Sequence, residues 1–126
     1  MTNTKKFDLE DRLVDFSVSI VEITESMLNT RAGNNLAIQL VRSGMAPALL
    51  YGEAQSAESH NDYIHKLKLI VKELKETLVA MKIVSKIKVC KKTPVLDASA
   101  IECNELIAIF VASIKTSKKN HIEKTQ

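Results

Sequence analysis

Glycine, proline, cysteine and aromatic residues are all scarce in this 126-residue chain, which has 3 Gly, 2 Pro, 2 Cys, 3 Phe, 2 Tyr and no Trp. So few turn-forming residues exclude a many-stranded β fold. A glycine-rich phosphate-binding loop is nearly excluded for the same reason. The hydrophobic fraction of 45% is too high for a disordered chain. We therefore expect one helical domain over residues 1–126.

Long hydrophobic runs are also missing. No run approaches the ~18 residues that a membrane span needs, and residues 1–11 are polar and charged rather than signal-like. We expect a cytoplasmic protein with no membrane partner. Cys90 and Cys103 have neither CxxC spacing nor clustered histidines, so we interpret both as reduced, small hydrophobic side chains.

Apolar residues at alternating spacings of three and four predict four amphipathic helices. They cover residues 8–29, 34–56, 59–89 and 98–118. Each apolar stripe needs a partner, and the economical solution is an all-α, up-down-up-down antiparallel four-helix bundle. Residues 1–7 and 117–126 are polar, and we expect them to be frayed tails.

Local signals set the ends of these helices. Ser59 with Asp62, and Ser99 with Glu102, have capping-box spacing and mark the predicted starts of the third and fourth helices. Pro47 has no amide hydrogen and crowds the preceding turn, so we expect the second helix to be kinked near Pro47.

Motifs for catalysis and metal binding are missing from the sequence. The carboxylate pairs Glu22/Glu25 and Glu73/Glu76 have no Glu-x-x-His partner of the di-iron type. His60 and His65 are five residues apart, which predicts different faces of a helix. There is no GxSxG and no cysteine with an identifiable histidine partner. We expect no enzymatic activity, no metal and no cofactor.

Charged residues of the second and third helices predict a structural polar network. Arg42 and Glu53 are 11 residues apart, close to three turns, so they share one side of a helix. We expect Arg42 to pair with Glu73 or Glu76, and Glu53 to pair with Lys66 or Lys72. The spacing of four between Lys72 and Glu76 also predicts an ion pair within the third helix. A ligand site at Arg42 and Glu53 is the alternative.

The middle of the chain carries the most specific pattern. The segments QLVRSGMAPALLYGEA (39–54) and AESHNDYIHKLKLIVKELKET (57–77) resemble the signature of the bacterial four-helix-bundle proteins encoded in intervening sequences of 23S ribosomal RNA genes. The matching residues are Gln39, Arg42, Ser43, Gly44, Glu53, Ala54, Glu58, Ser59, Asp62, Tyr63, Lys66, Leu67, Lys72, Glu73, Glu76 and Thr77.

The resemblance implies a four-helix bundle that assembles into a homopentameric ring and has no catalytic activity. It also implies kinship with the accessory proteins of diversity-generating retroelements, which are basic and associate with nucleic acid and a reverse transcriptase. Three positions depart from the family pattern. Met45 and Ala46 replace Ser or Thr, and Leu50 replaces Asn, so Arg42, Ser43 and Glu53 are what remains of a polar cluster on the second helix.

The net charge of +3 is unevenly distributed. Residues 1–62 hold 5 basic and 9 acidic side chains, whereas residues 63–126 hold 13 basic and 6 acidic ones. Such a block of charge is often only a solvated face. The candidate nucleic-acid-binding lysines follow the third and fourth helices and are Lys82, Lys86, Lys88, Lys91, Lys92, Lys115, Lys118 and Lys119.

In an up-down bundle the two groups of lysines leave their helices at opposite ends, so we expect no single patch within one subunit. Repetition around a homo-oligomeric ring would concentrate each group enough to hold a phosphate backbone. We therefore predict a non-enzymatic, homo-oligomeric accessory factor that associates with ribosomal RNA or DNA. The alternative is a structural or protein–protein interaction module with no nucleic-acid role. It would bind its partner through extra apolar surface on the third helix, formed by Leu69, Ile70, Ile83, Val84 and Ile87.

Overall fold

The computed structural model describes residues 8–125, which form four α-helices and no strand. The helices are α1 (Leu9–Glu25), α2 (Arg31–Gln55), α3 (His60–Ile87) and α4 (Thr93–Thr125). α1 and α3 each pack against both α2 and α4, so the helices stand at the corners of a square. Short connections make consecutive helices antiparallel. The predicted up-down-up-down bundle is confirmed, and the predicted tail at 1–7 lies outside the described residues.

Side-chain oxygens cap the first three helices. The Asp8 carboxylate accepts a hydrogen bond from the Asp11 amide at 3.1 Å, and the Thr30 hydroxyl accepts one from the Gly33 amide at 3.0 Å. The Ser59 hydroxyl accepts one from the Asp62 amide at 3.0 Å. Each bond satisfies an amide that has no partner within its own helix. The predicted start of α3 is confirmed, whereas α2 begins earlier than predicted.

The fourth helix departs most from the sequence prediction at both of its ends. α4 begins at Thr93 rather than near residue 98, because Pro94 stands in the first turn, where a missing amide hydrogen is tolerated. Ser99 is therefore buried inside α4 and does not cap it. The predicted frayed tail begins at residue 117, but α4 continues to Thr125, and residue 126 lies outside the described residues. Near its end, the His121 ring stacks on the His60 ring of α3, with centroids 3.9 Å apart.

The core lies on the axis of the square and draws side chains from every helix. The largest fully buried hydrophobic side chains are Leu13, Ile20, Ile23, Leu40, Leu67, Ile70, Leu74, Met81, Val84, Leu106 and Phe110. Tyr51 packs edge-on against Phe110, with ring centroids 5.8 Å apart. Ile70 and Val84 are completely buried, so the prediction that they provide extra outer surface on α3 is wrong.

α1 and α2 approach each other closely at Gly44. Gly44 is buried, and the Ser17 hydroxyl of α1 lies 3.2 Å from the Gly44 carbonyl oxygen of α2, to which it donates. α2 continues through the buried Pro47 without ending there. The kink near Pro47 stays a prediction.

The connection between α1 and α2 lies beside the connection between α3 and α4. The Leu28 amide donates to the Val89 carbonyl at 2.8 Å, and the Lys91 amide donates to the Ser26 carbonyl at 3.1 Å. These bonds hold the α1–α2 connection against the α3–α4 connection at one end of the bundle. Over residues 8–125, no helix has a stretch long and hydrophobic enough to cross a bilayer.

Candidate functional site

A row of lysines runs along the outer surface of α3. Starting from His65, the spacing alternates between three and four, so these residues share one face of the helix. Each of them is exposed, and only Val79 interrupts the run of basic side chains. We name the lysines of this row the α3 lysine ridge; they are Lys68, Lys72, Lys75, Lys82 and Lys86. From Lys68 to Lys86 the ridge is about 27 Å long at 1.5 Å per residue.

Glu73 and Glu76 of α3 lie on the side that faces α2, where Glu76 lines a groove together with Lys75 of the ridge. Glu73 and Glu76 contact Arg42 of α2. Asp62 lies near Lys66, the one α3 lysine outside the ridge; the pKa of Lys66 is raised chiefly by its hydrogen bond to Glu53 and to a smaller extent by the charge of Asp62. Within residues 8–125, no ridge lysine forms an ion pair with a carboxylate. The ridge therefore presents positive charge that is not neutralised locally.

Keeping five lysines on one face of a helix has an energetic cost. Lys68 and Lys72, and likewise Lys82 and Lys86, stand four residues apart, where like charges destabilise a helix. The predicted ion pair between Lys72 and Glu76 does not form within the described chain, because Glu76 instead accepts a hydrogen bond from Arg42. Ridge residues thus repel one another, and an anionic partner would relieve that repulsion.

The lysines predicted at the exit of α3 divide into two groups. Lys82 and Lys86 belong to the ridge, whereas the others lie in or beside the connection to α4. Lys88 adopts the left-handed conformation that ends α3, with φ of 58°. Lys92 is partly neutralised, since its Nζ atom lies 3.2 Å from Glu22 Oε2. Lys91 is exposed at the same end of the bundle.

The lysines predicted at the exit of α4 lie at the opposite end, as expected, but the two groups are not isolated. Lys115, Lys118 and Lys119 are all exposed on α4. Lys118 lines a groove together with Lys68, the first lysine of the ridge. The ridge therefore extends from this groove along α3 toward the other end of the bundle, and the expectation that the two exit groups form no single patch within one subunit stays a prediction. The heptad-like spacing from His65 to Lys86 was the signal that could have revealed the ridge.

The structure brings together most of the predicted polar network between α2 and α3. Arg42 Nη2 lies 2.9 Å from Glu76 Oε1, and Arg42 Nη1 lies 3.5 Å from Glu73 Oε1. Lys66 Nζ lies 2.8 Å from Glu53 Oε1. The hydrogen bond to Glu76 is the main reason why the pKa of Arg42 is raised. Lys72 stands outside this network, on the ridge.

Several polar contacts between helices were not predicted from the sequence. A buried hydroxyl pair joins α2 to α3, because Thr77 Oγ1 donates to Ser43 Oγ at 2.9 Å. An ion pair joins α1 to α4, where Arg12 donates to both carboxylate oxygens of Glu102 at 2.9 and 2.6 Å. Arg12 also reaches Glu105 at 3.2 Å. Only the fold brings these pairs together, so no local spacing could have predicted them.

Two apolar surfaces remain on the outside of the bundle. The α1/α2 face is a shallow groove of about 370 Å³ whose exposed side chains are Val14, Val18, Val21, Met45 and Leu49. The α2/α3 face is a second groove of about 430 Å³, where the apolar side chains of Leu36, Val79, Ala80 and Ile83 lie beside the polar side chains of Gln39, Lys75 and Glu76. The three valines of α1 extend the predicted apolar stripe, yet they face outward; Val18 is 60% exposed.

The histidines are closer together than the sequence predicted. His60, His65 and His121 all line the groove between the start of α3 and the end of α4. His60 and His65 both line this groove, although a separation of five residues predicts different faces of the helix, because the groove is wide enough to include both. Among the described residues, no group of three or more His, Cys, Asp or Glu side chains is placed to hold a metal ion.

The two cysteines are free and have different surroundings. Cys103 is buried, and its thiol donates to the Leu74 carbonyl at 3.1 Å. Burial raises the pKa of Cys103 to about 12, and the charge of Glu102 adds to this effect. Cys90 is half-buried, with its sulfur 3.4 Å from the Ser26 hydroxyl.

Comparison with known proteins shows a similar fold. The structure resembles the crystal structure of a protein of unknown function from the S23 ribosomal protein family of Bacteroides thetaiotaomicron, with a TM-score of 0.76. The two sequences are 24% identical, and the match covers 84% of this chain and 97% of the other. The two proteins therefore share the four-helix fold. No family model matches the sequence, and no curated protein matches it.

Proposed function

We propose that the protein is a non-enzymatic, self-associating four-helix bundle of the cytoplasm that holds the phosphate backbone of double-stranded nucleic acid along its α3 lysine ridge. The observation that carries this proposal is the ridge itself, five exposed lysines on one helical face with no carboxylate paired to them. Phosphate contacts dominate the affinity of nucleic-acid-binding proteins. A straight row of positive charges about 27 Å long suits such a backbone.

The residue types on the ridge favour contact with the backbone rather than recognition of bases. Lysine is a flexible point charge, whereas arginine supplies the planar pair of donors that most often reads guanine. The ridge has no arginine and no aromatic side chain that could stack on an unpaired base. We therefore expect binding that tolerates any sequence and favours duplexes over single strands.

Self-association would multiply this charge. The α1/α2 face and the α2/α3 face are different surfaces on adjacent sides of one subunit; the first is apolar, and the second also includes Lys75, at the edge of the ridge, and Glu76. Contact between one face and the other face of the next copy is a head-to-tail interface, and such interfaces generate closed rings when the rotation closes. A ring agrees with the homopentamer that the intervening-sequence resemblance implies. Each added subunit brings another ridge, and the binding free energy of the assembly rises with the number of ridges that reach the nucleic acid.

Ribosomal RNA is the proposed natural partner. Two observations support it: the resemblance of residues 39–77 to proteins encoded within 23S ribosomal RNA genes, and the fold shared with a member of the S23 ribosomal protein family. A role as an accessory factor agrees with a ridge whose lysines can hold a backbone through their charge.

A second candidate function is a protein–protein interaction module. The observation that favours it is the α2/α3 face, where Val79 is 56% exposed and Ile83 is 45% exposed. Under this reading the ridge serves only solubility. Charge reversal on the ridge should abolish nucleic-acid binding if the first function is correct and should leave partner binding unchanged if the second is correct.

Electrophoretic mobility of duplex RNA tests the proposal. We would mix the protein with a ribosomal RNA fragment and with an unrelated duplex, and compare the wild type with the variant Lys72→Glu/Lys82→Glu. The matched control is Lys91→Glu/Lys124→Glu, which makes the same charge change away from the ridge. The proposal expects retardation of both duplexes by the wild type and the control, and its loss in the ridge variant. Retardation by the ridge variant equal to that by the control would overturn it.

A further inference from the structure

The groove between the start of α3 and the end of α4 gathers five basic side chains. It has a volume of about 410 Å³. From α3 it is lined by His60, His65 and Lys68, and from α4 by Lys118 and His121. We name it the histidine groove. Its size lies within the range of small-molecule sites.

No carboxylate lines the histidine groove in the described part of the chain. The carboxylate nearest along α3, Asp62, lies on the side of Lys66, whose Nζ atom pairs with Glu53 of α2. Glu58, in the connection before α3, and Glu123, on α4, are exposed and are not among the lining residues. The remaining lining side chains are one amide and two isoleucines. Among the described residues, every group in the groove that can carry a charge is therefore a base.

The two lysines of the groove interact unfavourably in the absence of an anion. Lys68 lowers the pKa of Lys118, chiefly through a direct side-chain contact and also through repulsion between the two charges. An ammonium group has hydrogens to donate and no lone pair to accept with, so two charged lysines cannot satisfy each other. An anion between Lys68 and Lys118 would accept hydrogen bonds from both ammonium groups and would offset the repulsion between their charges.

The stacked histidines add a response to pH. The rings of His60 and His121 lie parallel, with an angle of 6° between their planes and centroids 3.9 Å apart. Loss of hydration, together with the charge of His121, lowers the pKa of His60. Protonation of both rings would place two more positive charges side by side, and an anion in the groove would compensate for them.

We propose that the histidine groove is a binding site for a doubly charged oxyanion of the phosphate-monoester class, held by Lys68 and Lys118 and bound more tightly when the histidines are protonated. The lysines supply charge from two different helices, and the protonated histidine rings supply further N–H donors. A phosphate monoester carries up to two negative charges and three acceptor oxygens, so it can bridge both helices at once. This site does not depend on the function proposed for the ridge.

Sulfate is the probe for the first experiment, because it stays doubly charged from pH 6 to pH 8. Histidine ring signals are followed by NMR during sulfate addition at pH 6 and pH 8, with chloride at equal ionic strength as the reference. The proposal expects saturable shifts of His60 and His121, with binding about tenfold tighter at pH 6. If chloride at equal ionic strength shifts the His60 and His121 signals as much as sulfate does, the proposal is overturned.

Two variants locate the site. Lys118→Gln removes one of the two lysines and is expected to weaken sulfate binding about tenfold. The matched control Lys86→Gln removes a lysine from the far end of the ridge and is expected to leave sulfate binding unchanged. Equal weakening by both variants would mean that only general charge matters, and would overturn the proposal. Because Lys118 is outside the ridge, this result is separate from any failure of duplex binding.

The source of the phosphate is distinguished with three further ligands. Inorganic phosphate that binds as tightly as a 5′-phosphorylated duplex RNA supports the proposal with a free phosphate as the ligand. Tighter binding of the 5′-phosphorylated duplex supports it with a nucleic-acid end as the ligand. A 5′-hydroxyl duplex that shifts the signals of His60 and His121 as strongly as the phosphorylated one, with no response to inorganic phosphate, would overturn it.

Discussion

Gly44 of α2 lies directly against Ile20 of α1, so that a Cβ atom at Gly44 would stand 2.7 Å from Ile20 Cγ2. Ile20 is fully buried and branched at Cβ, so it has little freedom to move aside. We expect Gly44→Ala to lower the free energy of unfolding by about 1–3 kcal/mol through overpacking. Chemical denaturation followed by circular dichroism measures the change.

Gly52 provides the matched control on the same helix. A Cβ atom there would meet nothing within 4 Å. Gly52→Ala is expected to raise the free energy of unfolding by about 0.5–1 kcal/mol, because alanine loses less backbone entropy in a helix. Equal effects of the two substitutions would show that the close approach of α1 and α2 at Gly44 is not real.

The buried hydroxyl pair between Ser43 and Thr77 makes a prediction about coupling. Thr77 Oγ1 donates to Ser43 Oγ at 2.9 Å and to the Glu73 carbonyl at 2.8 Å in a three-centre bond. Thr77→Val is expected to destabilise the protein by about 1–3 kcal/mol, because it leaves buried acceptors without a partner. The double variant Ser43→Ala/Thr77→Val should cost less than the sum of the single changes. Strict additivity in the double-mutant cycle would mean that the two hydroxyls do not interact.

The raised pKa of Cys103 makes a prediction about alkaline stability. Burial raises this pKa from 9.0 to about 12, so between these values the unfolded chain loses the thiol proton while the folded chain keeps it. The folded state then binds more protons than the unfolded state, and the free energy of unfolding falls as the pH rises above about 9.

Cys103→Ala measures this contribution, since it removes the titrating group. We expect the variant to show a shallower fall in stability from pH 9 to pH 10.5 than the wild type. Cys90→Ala is the control for loss of a thiol and should keep the wild-type slope. The same slope in all three proteins would show that Cys103 is not protected from ionisation by the fold.

The exposed valines of α1 make a prediction about oligomeric state. Val18 is 60% exposed at the centre of the α1/α2 face. We expect the wild type to have the mass of an oligomer in light scattering at micromolar concentration, and Val18→Lys to have the mass of a single subunit, because a buried unpaired charge is costly at an interface. Ile101→Lys is the control, since Ile101 is 63% exposed but lies outside both apolar faces. A wild-type protein with the mass of one subunit would contradict self-association.

The helical architecture could be predicted because apolar spacing is a local property of the sequence. The buried residues Leu13, Phe16, Ile20 and Ile23 of α1 follow the predicted stripe. The start of α4 was predicted wrongly because the same sequence signal can occur at the end of a helix, at its start or in its interior. Pro94 can end a helix or stand in its first turn, and a capping-box spacing such as that of Ser99 and Glu102 also occurs inside helices.

The candidate site could be predicted only in part. A search for lysines clustered in sequence finds the helix exits, whereas the ridge is clustered on a face, with its members spread over most of α3. The histidine groove depends on α4 reaching back to His60, and the polar sequence after residue 117 gave no sign that the helix continues. Contacts between helices, such as Arg12 with Glu102, follow from the packing of α1 against α4 and have no signature in local spacing.

The most direct test of the α3 lysine ridge is the salt dependence of duplex RNA binding, measured by fluorescence anisotropy. Each phosphate neutralised by a lysine contributes about 0.9 to the slope of log K against log salt concentration. Removal of three ridge lysines in Lys72→Gln/Lys75→Gln/Lys82→Gln should make the slope shallower by about 2.7 for each subunit in contact. The control Lys91→Gln/Lys119→Gln/Lys124→Gln should keep the wild-type slope. An unchanged slope in the ridge variant, or affinity that does not depend on salt in the wild type, would contradict the account.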